Sequence, residues 1–291
     1  MGISKGGARL LLAEAATHPF YGRVMQLGRQ HLFFNEHDLS SWASLHDTAL
    51  HPEFVANNRR TPLLNAAHID DGSFFALLGF QKVESCDISN NEQPTHIVDL
   101  NRPITENLVG QYDLVFDGGT IEHIFHIPQA LANIHAMLKP GGRIIHISPS
   151  SNHVDHGFYM FSPTLFTDYY AANRYKICNT IVFEYTKNHN NDPWNIYRYE
   201  PGCLDAMSFG GFDQGTLLGI FVVAQKQIDS DCQIIPQQGA YLRQWNDAEL
   251  AIVRERQYAG QSLNGSARAE TTPLRPPASA RPIDALKIAE Y

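Results

Sequence analysis

The sequence has few cysteines, no long hydrophobic run and no excess of positive charge. Its four cysteines are scattered along 291 residues without a C-x-x-C pair, so their spacing predicts neither a zinc knuckle nor a disulfide framework. No stretch reaches the roughly 18 consecutive apolar residues of a membrane-spanning helix, and the first residues lack the apolar core of a signal peptide. We therefore expect a cytoplasmic chain with reduced thiols and no membrane partner.

The charge balance excludes one class of partner. Lys and Arg together number 22 and Asp and Glu 30, which gives a formal net charge of -8. Because nucleic acids and anionic membrane surfaces attract positive charge, we expect neither as a partner. The apolar fraction of 43% is that of an ordinary globular protein with a large core. A small-molecule substrate is the expectation, and a homo-oligomer is left open.

Five short apolar runs predict the strands of a sheet. Helical or irregular segments separate them, as the crossover connections between parallel neighbours require. This alternation predicts an α/β fold with a doubly wound, mostly parallel sheet, in which ligands bind at the carboxyl ends of the strands. The predicted strands cover residues 23–28, 82–87, 96–100, 112–117 and 143–148.

Helix formers and capping residues predict three helices along this part of the chain. A leading helix covers residues 8–16 and stops before Pro19, because the residue before a proline avoids the helical region. A second helix is capped near Asp70 and ended by Gly79. A third begins near Pro128, which favours the first turn of a helix.

The remaining segments are predicted to form an insertion, a sheet edge and a tail. Residues 31–69 show no clean period and are interpreted as an irregular or helical insertion, while residues 175–185 and 216–224 predict an antiparallel pair at the edge of the sheet. Residues 259–282 have too little apolar content to fold alone. The predicted division is an N-terminal helix over 1–19, an α/β domain over 20–226, and a C-terminal helix with a partly disordered tail over 227–291.

Two runs carry a resemblance to a known family. Residues 112–124 read YDLVFDGGTIEHI, and residues 130–142, ALANIHAMLKPGG, precede a hydrophobic strand. This region resembles the fourth and fifth strands of class I S-adenosylmethionine-dependent methyltransferases, and residues 156–163 are similar to a bacterial subgroup of them. The resemblance covers residues 20–226. It implies a seven-stranded Rossmann-like sheet with an antiparallel last strand, S-adenosylmethionine as cofactor, and O- or N-methylation of a small molecule.

The first predicted turn departs from the family pattern. Those enzymes carry D/E-x-G-x-G-x-G after their first strand, where small residues let the backbone approach the cofactor. Here residues 26–31 read QLGRQH, with a single glycine at Gly28. In addition, 59 residues separate Gly28 from Asp87, and the surplus is the insertion, interpreted as a lid over the cofactor. Either the methionine end of the cofactor is held differently from the family pattern, or cofactor binding has been lost.

The resemblance implies cofactor-binding residues at four strand ends. Asp87, followed by Ile88, matches the acidic residue that accepts both ribose hydroxyls, and a carboxylate has the oxygens for that. Asp99 matches the side chain that meets the adenine amino group, with Leu100 presenting backbone to the same edge. For either Asp, the alternative is a turn or capping residue. The first and fourth strands supply the rest of the expected set: Gln26, Gly28, Asp117, Gly118 and Gly119.

Candidate catalytic residues follow the fourth and fifth strands. His123, beside Glu122 on the loop before the third helix, is the predicted general base, because an imidazole accepts a proton near neutral pH. Glu122 is assigned to the cofactor side, with helix capping as the alternative for both residues. His156 and Tyr159 are predicted to form the substrate wall or to replace His123 as base. The neighbouring aromatics are expected in the core instead: Phe158 and Phe161.

Two H-x-x-H spacings, His123 with His126 and His153 with His156, lie near Asp117, Glu122 and Asp155, and together they could form a metal site for which Mg²⁺ is the favoured ion. We nevertheless predict no metal. Three-residue spacing brings side chains together on a helix, and both runs are expected to be loops. The leading hypothesis is a methyltransferase that acts on a small molecule, with its metal dependence left open. The alternatives are a lyase or intramolecular cyclase that converts S-adenosylmethionine to methylthioadenosine, and a catalytically degenerate binding subunit.

Overall fold

The computed structural model describes residues 2–207, 212, 215–257 and 282–291. The predicted leading helix covers Lys5–Thr17. Ser4 caps it, because its hydroxyl oxygen accepts a hydrogen bond from the Gly7 N–H at 3.4 Å. The helix ends at His18, since Pro19 follows. The predicted helix is confirmed and is longer at its N-terminal end.

Nine of the eleven described strands form one sheet. In chain order they are β1 (Gly2–Ile3), β2 (Arg23–Leu27), β3 (His31–Leu32), β4 (Lys82–Asp87), β5 (His96–Ile97), β6 (Tyr112–Asp117), β7 (Leu138–Ser151), β8 (Lys176–Thr186), β9 (Asn195–Arg198), β10 (Thr216–Gln225) and β11 (Lys287–Glu290). The sheet order is β11-β9-β8-β10-β7-β6-β2-β4-β5, and β1 pairs separately with β3. Strands β2, β4, β5, β6 and β7 are parallel to their neighbours in this group. This confirms the predicted doubly wound, mostly parallel sheet.

The antiparallel strands confirm one prediction and correct another. Strand β10 runs antiparallel to both β7 and β8, as expected for the last strand. The pair β8 and β10 is not the edge, however, because β9 and β11 continue the sheet beyond β8. The described sheet therefore has nine strands rather than seven. The two additional strands come from a loop rich in proline and glycine and from the last described residues.

The described helices include the three that helix formers and capping residues predict. They are α1 (Lys5–Thr17), α2 (Glu36–Leu45), α3 (Asp71–Leu77), α4 (Ile127–Met137), α5 (Pro163–Ala172), α6 (Gly239–Gln244) and α7 (Asp247–Gln257). The Asp70 carboxylate accepts a hydrogen bond from the Ser73 N–H at 2.9 Å and so caps α3. Gly79 follows this helix with a φ of 118°, a conformation open to glycine. Pro128 stands in the first turn of α4.

The insertion over residues 31–69 is partly helical, as predicted. It contains β3, α2 and the 3-10 turn Pro52–Asn57. Three of its apolar side chains lie in the core beside α1 and α3: Phe34, Leu39 and Ala43. Asn58 attaches its end to the start of β4, since Oδ1 accepts from the Val83 N–H at 2.8 Å and Nδ2 donates to the Gln81 carbonyl at 3.1 Å. These contacts make it part of the packed fold, and a lid role stays a prediction.

Two hydrophobic cores cover the two faces of the sheet. Neighbouring residues on a strand point to opposite faces, and accordingly Val24 lies in one core and Met25 in the other. The chain builds β4 and β5 on one side of β2, and then β6 and β7 on the other. The carboxyl ends of β2 and β6 therefore flank the point where the strand order reverses, which is where α/β sheets bind ligands.

Two helices, α6 and α7, follow β10, where one C-terminal helix was predicted. The prediction that residues 259–282 do not fold alone falls outside the described residues for 259–281, and Pro282 begins the 3-10 turn Pro282–Leu286. Beyond them, β11 pairs with β9, and Trp194 and Tyr291 exchange backbone hydrogen bonds at 2.5 and 2.8 Å. No helix in the described ranges is long and apolar enough to cross a membrane.

Candidate functional site

The residues predicted at the first and fourth strand ends are brought together. Leu27 and Asp117 are register partners at the ends of β2 and β6. Gly28 follows with a φ of 75°, and its N–H donates to the Cys86 carbonyl of β4 at 2.8 Å. The single glycine thus turns the chain between the two strands that flank β2, at the reversal of strand order.

Charged and amide side chains close the turn after β2, where the family pattern has glycines. Arg29 is 3% exposed, and its guanidinium pairs with the buried Asp71 carboxylate, with Nη2 and Oδ1 at 2.5 Å. Gln26 Nε2 donates to the same carboxylate at 3.3 Å. A further guanidinium nitrogen of Arg29 donates to the Glu92 carbonyl at 3.0 Å. A buried ion pair between Arg29 and Asp71 therefore lies where the family pattern has its further glycines.

Gln30 occupies the space beside the predicted glycine pair. A Cβ atom on Gly118 would lie 2.6 Å from Gln30 Oε1, so only glycine allows this approach. Gln30 Nε2 donates to the Gly28 carbonyl at 3.1 Å, but Oε1 is buried with no hydrogen-bond partner among the described residues. Gln26 Oε1 is likewise buried without a hydrogen-bond partner among the described residues. Sequence reasoning missed Gln30, although an amide in place of a family glycine was a usable signal.

Asp117 is enclosed rather than open to a ligand. Its side chain is fully buried. Oδ1 accepts from the Thr120 N–H at 2.9 Å, and Oδ2 lies 2.7 Å from His146 Nδ1 and 3.3 Å from Ser148 Oγ. Both oxygens therefore have partners within the protein. The carboxylate that was predicted to face the cofactor is therefore enclosed by protein partners, and its contact with the cofactor stays a prediction.

His146 links Asp117 to Tyr170 in a buried chain. Because an ionised carboxylate only accepts hydrogen bonds, His146 Nδ1 carries the proton toward Asp117, and Nε2 accepts from the Tyr170 hydroxyl at 2.7 Å. Burial raises the pKa of Tyr170 well above its ordinary value, which keeps the hydroxyl protonated. Sequence reasoning missed this chain. A histidine inside the apolar strand β7 was the signal, since a buried imidazole needs partners.

Glu122, His123 and His156 converge beside this network. Glu122 Oε1 lies 3.9 Å from His123 Nε2 and 3.7 Å from His156 Nε2. The Glu122 side chain is 1% exposed, whereas those of His123 and His156 are 39% and 49% exposed. Glu122 Oε2 has no hydrogen-bond partner among the described residues. The predicted general base and the predicted substrate wall therefore share one site with a buried carboxyl group.

Backbone contacts hold the two histidine loops together. The Phe158 and Tyr159 N–H groups donate to the Glu122 carbonyl at 2.9 and 3.2 Å. At Gly157 a Cβ atom would lie 2.9 Å from that carbonyl oxygen and 3.2 Å from His123 Nδ1. Gly157 thus lets the loop after β7 lie directly on the turn after β6, which places His156 beside His123.

Burial sets the protonation of two of these groups. It raises the pKa of the Glu122 carboxyl to about 8, with the nearby Asp117 carboxylate as the second cause. Burial also lowers the pKa of His123 below 6.5, and the neighbouring His156 lowers it further. His123 is therefore neutral near pH 7, the form in which an imidazole accepts a proton.

The ends of β4 and β5 show one open carboxylate oxygen. Asp87 Oδ1 accepts from the Ser89 N–H at 2.8 Å, while Oδ2 has no partner in the described part of the chain. Ile88 is 66% exposed beside it. Asp99 instead bonds within its own turn, with Oδ1 accepting from the Asn101 N–H at 2.9 Å and Oδ2 3.4 Å from Arg102 Nε.

Leu100 follows Asp99, for which the resemblance implies a contact with adenine. Leu100 is 4% exposed, and its carbonyl accepts a hydrogen bond from Asn133 Nδ2 at 3.0 Å. The backbone edge predicted to meet the adenine is therefore partly used within the protein. For both residues the predicted contact with adenine stays a prediction.

The aromatic residues after β7 divide between surface and core. Phe161 is 4% exposed, as predicted, but Phe158 is 66% exposed, so its predicted place in the core is wrong. Phe158 packs edge-to-face on Phe125 at 5.6 Å, which is itself exposed. The Tyr159 hydroxyl donates to the Phe125 carbonyl at 2.8 Å, so it fixes this surface rather than standing free as a base.

Comparison with known proteins finds a distant similarity of fold. No family model and no curated protein matches the sequence. Solved structures do match. The chain is similar in fold to class I S-adenosylmethionine-dependent methyltransferases.

Three of the matching solved structures show how similar they are to this chain in sequence identity, coverage and TM-score. A Burkholderia thailandensis 1,6-didemethyltoxoflavin-N1-methyltransferase, with bound 1,6-didemethyltoxoflavin and S-adenosylhomocysteine, is 12% identical over 77% of this chain and 78% of its own, with a TM-score of 0.38. A geranyl diphosphate methyltransferase in complex with S-adenosylmethionine is 11% identical over 76% and 85%, with a TM-score of 0.40. The [4+2]-cyclase SpnF is 11% identical over 76% and 81%, with a TM-score of 0.38.

Proposed function

We propose that this chain is an S-adenosylmethionine-dependent methyltransferase that acts on a hydroxyl or amine of a small molecule. The observation that carries the proposal is the pair of unpartnered buried amide oxygens at the reversal of strand order, Gln26 Oε1 in β2 and Gln30 Oε1 beside Gly118. A buried acceptor without a donor is costly. A cofactor with an ammonium and a sulfonium group supplies the donor and the positive charge that these oxygens lack.

The adenosine half of the cofactor is assigned to the neighbouring strand ends. Asp87 offers an oxygen for the ribose hydroxyls, and the exposed Ile88 offers an apolar surface for the base. Gln30 and the closed turn at Arg29 take the place of the family's glycines at the methionine end. The cofactor is therefore expected to be held by side chains where relatives of the family use backbone.

Within this assignment His123 removes the proton of the acceptor. The cofactor supplies a methyl group to the acceptor's oxygen or nitrogen, and the protein has to align the two and accept one proton. His123 is half-exposed and neutral near pH 7, and its Nε2 faces the shared site. Asp117, His146 and Tyr170 act as positioning residues, because they hold the end of β6 without reaching the surface.

Identification of the nucleoside product tests the reaction class. The protein is incubated with S-adenosylmethionine and a panel of small hydroxyl and amine compounds, and the nucleosides are identified by mass spectrometry. Formation of S-adenosylhomocysteine together with a product heavier by one methyl group supports methyl transfer. Formation of methylthioadenosine from S-adenosylmethionine without any panel compound, above the level found in the absence of protein, contradicts it and identifies the lyase or cyclase alternative.

Asp87→Ala tests the cofactor assignment. Loss of the carboxylate should weaken binding of S-adenosylmethionine by roughly ten- to a hundred-fold, because a charged acceptor of ribose hydroxyls is removed. Glu106→Gln is the control, since Glu106 is an exposed carboxylate on the turn Glu106–Leu108, which precedes β6. Equal affinity for the two variants would contradict the assignment of Asp87.

A further inference from the structure

The side chains of Glu122, His123 and His156 offer one carboxylate oxygen and two imidazole nitrogens to a common point. These ligand atoms all lie within 4.8 Å of one another. We propose that they form a binding site for a divalent transition-metal ion of the Zn²⁺ and Fe²⁺ type. The two H-x-x-H spacings do not predict this set, because each spacing pairs histidines within one run. The structure instead joins one histidine from each run.

The distances between the ligand atoms suit closure around an ion. In a tetrahedral site with metal–ligand bonds of about 2.0 to 2.2 Å, ligand atoms lie about 3.3 Å apart. Glu122 Oε1 is 3.7 Å from one imidazole nitrogen and 3.9 Å from the other. Both imidazoles are partly exposed and have room to move toward an ion and toward each other, since their nitrogens lie within 4.8 Å, whereas Glu122 is fixed by burial.

A second observation points to a cation at this place. Glu122 is 1% exposed, and its Oε2 has no hydrogen-bond partner among the described residues. The distances from Oε1 to the imidazoles are too long for hydrogen bonds. A carboxyl group that is enclosed in this way is costly unless an ion or a donor satisfies it, and a bound cation does so.

The donor set selects the kind of ion. Two imidazoles and one carboxylate bind Zn²⁺, and they also form the facial set of iron(II) sites, whereas Mg²⁺ and Ca²⁺ prefer oxygen ligands alone. The exposed sides of His123 and His156 leave coordination positions open to water or to an oxygen of an acceptor. His153 is not part of the set, because its Nε2 pairs with the Tyr185 hydroxyl at 3.1 Å.

A bound ion and a proton compete for the same nitrogen of His123. When Nε2 ligates a metal, His123 no longer accepts a proton there, and the ion lowers the pKa of a bound acceptor hydroxyl instead. The metal site thus changes how the proposed reaction loses its proton. Metal binding itself needs neither S-adenosylmethionine nor an acceptor, so its test is independent of the proposed function.

Titration with Co²⁺ and Zn²⁺ tests the site. The full chain is freed of metal by a chelator, Co²⁺ binding is followed by its visible absorption, and Zn²⁺ is added in competition. We expect one equivalent of Co²⁺ to bind and Zn²⁺ to displace it. Removal of an outer partner of a ligand weakens metal binding by about 10- to 100-fold, so removal of a ligand should weaken it at least about 100-fold. The three ligand variants are Glu122→Gln, His123→Asn and His156→Asn.

Matched controls come from the same two runs. His126→Asn and His153→Asn remove the other histidine of each H-x-x-H spacing and should change the affinity less than about threefold. Circular dichroism confirms that each variant is folded, and the two partly exposed histidines keep the test valid if Glu122→Gln unfolds. Absence of stoichiometric binding to the wild type overturns the proposal. So does retained affinity in His123→Asn and His156→Asn, or a loss in the controls as large as in the ligand variants.

Discussion

Asp117 and Glu122 are both enclosed after β6, but they differ in what they contact. Asp117 has protein partners for both oxygens, whereas Glu122 has one oxygen with none among the described residues. The sequence predicted that both lie at this edge, because they follow a buried strand. It did not predict which one is satisfied, since the partners His146 and Ser148 belong to a different strand.

Glu122 should make stability depend on pH. Its pKa of about 8 in the folded protein lies above the 4.5 of the unfolded chain, so the folded state holds a proton that the unfolded state loses. Its contribution is therefore fully present below pH 4.5 and is lost as the pH rises through 8. In chelator-treated protein, Glu122→Gln should remove a decline of roughly 3 to 5 kcal/mol over this interval.

Urea unfolding at several pH values measures this effect. Glu106→Gln, at an exposed carboxylate, is the control and should keep the pH profile of the wild type. If Glu122→Gln and the wild type show the same slope between pH 5 and 8, about the range in which the two pKa values differ, the carboxyl group is not enclosed as described.

His123→Asn should lower turnover without loss of cofactor affinity. A general base contributes about 10² to 10⁴ in rate, and the imidazole lies on the acceptor side of the site. The measurement is kcat on an acceptor found in the product screen, beside the affinity for S-adenosylmethionine. His126→Asn, an exposed neighbour on the same loop, should retain normal turnover. Near-normal kcat in His123→Asn would show that His123 is not the general base.

At the scale of elements, local signals predicted most boundaries. Strands β4 and β6 begin and end as predicted, because each is a short apolar run closed by an Asp. Strand β7 is longer than predicted at both ends. Residues 138–142 contain a proline and two glycines that are typical of a turn, yet Leu138 pairs with Tyr112 of β6, and Ser151 pairs with Leu218 of β10. Strands β9 and β11 are short and exist through pairing with each other and with β8, which no local pattern indicates.

Asn58 attaches the insertion to the sheet, and its loss should be costly. Its side chain bonds to three backbone groups, the carbonyls of Phe54 and Gln81 and the N–H of Val83, and the residue is buried. Asn58→Ala leaves these groups unsatisfied and should lower the free energy of unfolding by about 2 to 4 kcal/mol.

The neighbour Asn57 supplies the control, because it is exposed. Asn57→Ala should change the free energy of unfolding by less than about 0.5 kcal/mol. Chemical denaturation of both variants measures the difference. If trypsin cleaves after Arg59 and Arg60 faster in Asn58→Ala than in Asn57→Ala, loss of Asn58 has released this end of the insertion from β4. Equal stability of the two variants would contradict the role of Asn58.

For the whole molecule, the alternation of apolar runs and helices predicted the doubly wound sheet and the edge at which ligands bind. It did not predict how the first turn is built, because Arg29 bonds to Asp71, a residue 42 positions away. It also did not predict that His123 and His156 meet, since this depends on how the loop after β7 lies on the turn after β6. Long-range contacts therefore account for the part of the site that the sequence left open.

Calorimetric titration of the full chain with S-adenosylmethionine, and separately with S-adenosylhomocysteine, measures whether the fold binds the proposed cofactor. We expect each nucleoside to bind with one equivalent per chain, since the strand ends of β2 and β4 offer acceptors to the part of the molecule that the two share. Asp87→Ala should weaken binding of both, while Glu106→Gln should weaken neither. Absence of binding of either nucleoside to the folded wild-type protein would contradict the account and favour a fold that no longer binds the cofactor.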